Sequence, residues 1–76
     1  MVTEPKTPLG RQMREARKAA GLTQAETATR MGTYQGYLGG LERGDTSPNV
    51  LMLIRFCQAV GCGFTWDGEF RLTPEK

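Results

Sequence analysis

Apolar positions recur every three or four residues over most of this chain, then every second residue near its end. From Leu9 to Ala20 the run is rich in strong helix formers, and Leu9, Met13, Ala16 and Ala20 share one helical face, with Gly21 as the stop. A second, shorter helix is expected to begin at Thr23. The Thr23 hydroxyl can accept an amide of the first turn while Glu26 reaches back to the Thr23 amide, a capping box. Ala28 and Met31, with Leu22 just before, lie on its inner face, and Gly32 closes it. After a brief polar break a third segment buries Leu38 and Leu41, carries Tyr37 at its margin and stops at Gly44. Ser47 as cap and Pro48 as first residue open a fourth helix running to about Val60. Its inward stripe is Val50, Leu53, Phe56, Cys57 and Val60, and Gly61 ends it.

The tail, CGFTWDGEFRLTPEK, alternates instead, and Asp67-Gly68 between aromatic and β-branched residues is a hairpin signal that Pro74 terminates. With Gly68 as the left-handed residue of a three-residue loop, Phe64 is expected opposite Phe70. A lone two-stranded hairpin is marginal in water, so it must pack on the last helix, pair with a second copy, or both. The pattern predicts an all-α domain over residues 9–62, a compact bundle of short helices. Residues 63–76 are expected to form a short C-terminal β-strand or hairpin extension, a candidate dimerisation element. Residues 1–8, with Pro5 and Pro8 among Thr, Glu and Lys, read as a flexible arm with nothing to bury. Within the bundle, Leu22 to Gly44 forms two helices and a tight turn, too short to be stable alone.

Seventy-six residues allow one small core, and a 38% apolar, 24% charged composition is that of a globular chain rather than a disordered one. The net charge of +2 is uninformative, but its distribution is not. Through Arg43 there are seven basic and four acidic residues, a net of +3; from Gly44 onward three basic face four acidic, a net of −1. The N-terminal half is the better face for a polyanion. The chain has no His, the commonest general base and metal ligand, so an enzyme is disfavoured and neither metal nor cofactor is expected. Cys57 and Cys62 lack the further ligands that structural zinc needs and read as core packing in a reduced, cytoplasmic setting. No apolar run approaches a membrane span, and Met1 to Gly10 has no signal-peptide core.

Three runs, LGRQMREARKAAGLTQAE, MGTYQGYLGGLERG and SPNVLMLIRFCQAVG, together resemble the Cro/C1-type helix-turn-helix family of phage repressors, Cro proteins and small bacterial regulators. The resemblance covers about three quarters of the chain and rests on GLTQAE and LERG at this spacing. It implies a bundle of four or five short helices in which the segment from about Thr33 to Leu41 is a recognition helix for the major groove. It also implies that Gln24 contacts a DNA phosphate, helped by amides at the Thr23 helix start, and that Arg43 does the same. An Arg17–Glu42 salt bridge is implied as architecture.

For the bases the chain offers Thr33, Tyr34, Gln35 and Tyr37, with Gly36, Gly39 and Gly40 where family members carry long polar side chains. Gln35 suits adenine, and the tyrosines suit thymine methyls or phosphates; Tyr37 equally suits the core edge. Either the glycines let main chain approach the groove, or base readout is lost and the scaffold serves a protein partner such as a toxin or polymerase. Thr27 places a hydroxyl where the family has a buried Leu, and it can bond back to the preceding turn. The leading expectation is a cytoplasmic, homodimeric repressor of double-stranded DNA with an inverted-repeat operator. Its dimer interface is expected at Leu51, Ile54, Phe64, Trp66, Phe70 and Leu72, because the fourth helix is apolar around more than one face. The alternative is a protein-interaction module on the same scaffold.

Overall fold

The computed structural model describes residues 7–74, so expectations about residues 1–6, 75 and 76 lie outside the described residues. Four helices, α1 (Pro8–Ala19), α2 (Gln24–Met31), α3 (Gln35–Arg43) and α4 (Val50–Val60), precede strands β1 (Cys62–Trp66) and β2 (Phe70–Pro74). The bundle is all-α with a two-stranded antiparallel hairpin at its end. Among the described residues, no helix is long and apolar enough to cross a membrane.

Helix α1 starts inside what the sequence suggested was the arm. The Thr7 hydroxyl accepts the Gly10 amide at 3.0 Å and Pro8 opens the helix, where its fixed φ and missing N–H do no harm. Helix α2 carries the capping box: Thr23 Oγ1 accepts the Glu26 amide at 3.1 Å, and Glu26 Oε1 accepts the Thr23 amide at 2.9 Å. Donation from the Thr23 amide first, and from the Thr23 hydroxyl second, holds the Glu26 carboxyl below its ordinary pKa of 4.5. Helix α4 begins two residues later than expected. Its cap is Asn49, whose Oδ1 accepts the Met52 amide at 2.8 Å, so Ser47 and Pro48 stay in the preceding loop. Val50 is consequently the first helical residue and 56% exposed rather than inward, and Ala59 joins Leu53, Phe56 and Cys57 in the core.

One cluster of Met13, Ala28, Met31, Leu38, Leu41, Leu53, Phe56, Cys57 and Ala59 forms the core. Helix α2 lies against α3 and α4, and α1 against α3 and β2. Thr27 is fully buried, and its hydroxyl donates to the Thr23 carbonyl at 2.9 Å, which lets a polar side chain occupy a core position without an unsatisfied group. Gly10 is buried where α1 meets the last turn of α3. A Cβ there would lie 2.7 Å from the Glu42 carbonyl oxygen and 2.8 Å from that of Leu41. The two helices approach this closely only because position 10 has no side chain.

The hairpin pairs within one chain. Its three-residue loop includes Gly68 at φ +107°, but the register pairs Trp66 with Phe70 and Phe64 with Leu72. A loop of residues 67–69 necessarily joins 66 to 70, so Phe64 is diagonal to Phe70 rather than opposite it, with the two rings edge-on at 5.6 Å. The Leu72 amide donates to Gln12 Oε1 at 2.8 Å, tying β2 to α1. Phe64, Phe70 and Leu72 pack partly against the core.

Candidate nucleic-acid interface

Two glycine stops frame the central motif. After α2, Gly32 turns to φ +76° and the Thr33 amide donates back to the Ala28 carbonyl at 2.9 Å; after α3, Gly44 turns to φ +83° and the Asp45 amide donates to the Gly40 carbonyl at 2.9 Å. Both reversals need the left-handed conformation that glycine adopts at little cost. They satisfy carbonyls that the helix ends leave open. The result is a short helix, a tight turn and a second helix held at a fixed angle over the core.

The start of α3 forms the outward surface of the motif. Tyr34 caps the helix without a side-chain bond and stands 70% exposed. Gln35 and Gly36 are also exposed, whereas Thr33 is half-buried. Tyr37 is half-buried and rests against the core, its ring 6.3 Å from that of Tyr34 and tilted by 47°. Of the three glycines expected on the outer face, only Gly36 is exposed. Gly39 and Gly40 are buried, because the second half of α3 is covered by Gln24 and Arg43 on one side and by Thr46 on the other. Gly40 would set a Cβ 3.6 Å from Thr46 Cγ2, facing the loop to α4 rather than the surface that holds Tyr34.

Beneath this surface lies a network centred on Glu42. Arg17 Nε donates to Glu42 Oε2 at 2.7 Å and Nη2 donates to Oε1 at 3.1 Å, while Nη1 reaches the Leu22 carbonyl at 2.9 Å. The side chains are 11% and 3% exposed. A two-pronged guanidinium contact of this kind compensates the charge of a buried carboxylate. Gln24 Nε2 also donates to Glu42 Oε1, at 3.1 Å. That third bond was not legible in the sequence: it joins residues 18 positions apart and needs the folded angle between α2 and α3. Arg43 is exposed, and its Nε donates to Asp45 Oδ2 at 2.9 Å. An Arg beside an Asp two positions on, just past a helix end, was the available signal for this pair.

The groups that the sequence resemblance points to for phosphates are spread over two elements. The first amides of α2 point out of its N-terminus ahead of the Thr27 amide, which is bonded to the Thr23 carbonyl, and Gln24 projects from the same turn. Arg43 sits at the far end of α3. Of the residues considered for a dimer, Leu51, Ile54 and Trp66 are exposed and joined by Val50. Phe64, Phe70 and Leu72 are partly buried within their own chain.

A capped helix, a glycine turn and a second helix with an exposed N-terminal edge define a helix-turn-helix domain. A family model described as helix-turn-helix matches residues 13–66, and the chain belongs to that family, in its Cro/C1-type branch. An uncharacterized HTH-type transcriptional regulator of Sinorhizobium fredii is 42% identical over 53 residues, covering 70% of this chain and 69% of that one. The structure is similar to that of the restriction-modification controller protein C.AhdI from Aeromonas hydrophila. The TM-score is 0.68 at 32% identity, covering 70% of this chain and 80% of that one. It is also similar to the clp gene regulator ClgR from C. glutamicum, with a TM-score of 0.67 at 36% identity, covering 70% and 69%.

Proposed function

We propose that this chain is a sequence-specific DNA-binding transcription regulator, acting as a dimeric repressor on an inverted-repeat operator. The observation that carries the reading is the pairing of α2 and α3 around the Gly32 turn, with Tyr34, Gln35 and Gly36 exposed along the leading edge of α3. A helix presented this way fits the major groove, and the helix before it crosses the backbone. Relatives that are themselves described as transcriptional regulators support the regulatory role. Thr23, Gln24 and Arg43 take phosphates; Thr33, Tyr34, Gln35, Gly36 and Tyr37 meet the groove, with Gln35 the one side chain suited to a two-bond contact with adenine. No cofactor takes part.

The test is a titration of a labelled duplex from the DNA upstream of the chain's own gene, with nonspecific competitor, across a range of salt. Arg43→Ala is expected to weaken binding about tenfold and to lower the salt slope by about one, because one phosphate contact and its counterion release are lost. Gln24→Ala is expected to weaken binding with a smaller change in slope, since an amide carries no charge. Unchanged affinity and slope in both variants, with melting temperatures preserved, would sink this docking.

A second copy of the chain is proposed to cover the apolar face of α4 together with Trp66. Val50, Leu51, Ile54 and Trp66 are large apolar side chains that none of the described elements covers. Sedimentation of the 8.4 kDa chain is expected to give twice the monomer mass, and Leu51→Glu with Ile54→Lys to return it to monomer. A wild-type chain that sediments as a monomer at micromolar concentration removes the dimer from the proposal.

A further inference from the structure

The glycines of this chain differ in what holds them in place. Gly32 and Gly44 have positive φ, and Gly10 faces backbone oxygens, so folding explains all three. Gly39 has neither reason. Its φ is not in the left-handed region, and it lies inside α3, where alanine is the better helix former. Apart from the backbone of its own helix, the nearest atoms to a Cβ added there belong to side chains. They are Arg43 Nη1 at 3.2 Å, and Gln24 Oε1 at 3.7 Å and Nε2 at 3.9 Å. These are the two residues assigned above to DNA phosphates, and they come from different helices.

We infer that Gly39 is a positioning residue whose missing side chain lets Gln24 and Arg43 close over α3 and act together as one clamp for a DNA backbone phosphate. The inference rests on the DNA-binding reading. Two bonds aim the arms: Gln24 is anchored through Nε2 to the buried, neutralised Glu42, and Arg43 is held at Nε by Asp45. The second amide hydrogen of Gln24 and the remaining guanidinium donors of Arg43 stay available to an anionic oxygen. Glu42 does not repel that oxygen, because Arg17 binds both of its carboxylate oxygens. An alanine methyl would wedge between the arms, pushing the Arg43 guanidinium aside, since it is the far end of a flexible side chain and the contact is tighter than ordinary packing. Folding then gains from the substitution while phosphate binding loses.

That opposition gives the test. Gly39→Ala is expected to raise the melting temperature by about 4 °C, the usual gain from removing a helix-interior glycine in a domain of this size. The same variant is expected to bind the upstream duplex about fivefold more weakly, with a salt slope moved toward that of Arg43→Ala. In an Arg43→Ala background, Gly39→Ala is expected to cause little further weakening, because the arm it displaces is already gone. A stabilised Gly39→Ala that binds like wild type overturns the clamp and leaves the DNA-binding reading standing. So does a fivefold loss that persists undiminished without Arg43. A wild-type chain that binds no duplex at any salt overturns both.

Discussion

Arg17→Met is expected to lower the free energy of unfolding by about 3–5 kcal/mol, the usual consequence of stripping the partner from a buried charge. A chain of this length has a total stability of about 4–11 kcal/mol, so the loss removes a large fraction of it. The size follows from burial: Glu42 is 3% exposed, and Arg17 supplies two of the three bonds to its carboxylate. Gln24 alone cannot neutralise it, and the Leu22 carbonyl loses its Arg17 donor as well. The double variant Arg17→Met with Glu42→Leu is expected to recover most of the stability, because two apolar side chains of similar volume need no pairing. It is also expected to bind DNA less well than wild type, since Gln24 loses its anchor. Urea unfolding followed by circular dichroism measures the first pair of effects. A single variant within about 1 kcal/mol of wild type would show that the pair does not hold the bundle.

Gly10→Val is expected to cost about 3 kcal/mol, at the upper end of what overpacking does. The atoms a side chain would strike are the carbonyl oxygens of Glu42 and Leu41, at 2.7 and 2.8 Å from the Cβ position. Backbone inside a helix cannot turn aside as an arginine tip can. Helix α1 must therefore move off α3, which also stretches the Arg17–Glu42 pair. Thermal melting is the readout, and a Gly10→Val variant as stable as wild type would show that α1 docks with slack. Gly10 and Gly39 thus predict opposite results for nominally similar changes. What decides the sign is whether the neighbour is main chain or a flexible side-chain end.

The helix ends were largely legible. Thr23 with Glu26, Gly32 and Gly44, and the Asp67-Gly68 loop each act through bonds that span at most five residues, so the local string carries them. Errors arose where two local signals competed. Ser47-Pro48 and Asn49 are both acceptable starts, and Asn49 caps the helix because its side chain reaches the Met52 amide directly. Thr7-Pro8 is ambiguous in the sequence, because proline in a polar run resembles a loose arm as closely as it resembles a helix start. The hairpin is recognisable, whereas its register is shifted by two residues, Phe64 meeting Leu72 instead of Phe70, since the loop's flanking residues must face each other.

By itself the sequence determined the four helices, the hairpin, the turn between α2 and α3, and membership in a family defined by that motif. All of these rest on short-range caps, periodicity and spacing. Only the tertiary structure decided that Gly10 is a contact point and that Gly39 and Gly40 are covered rather than outward. It also decided that Gln24 is anchored to Glu42, and that the Leu72 amide of the hairpin bonds to Gln12, 60 residues earlier. Those facts depend on how closely and at what angle helices cross. Crossing geometry is set by the whole packed core at once, so residues far apart in the chain determine together what neither signals alone.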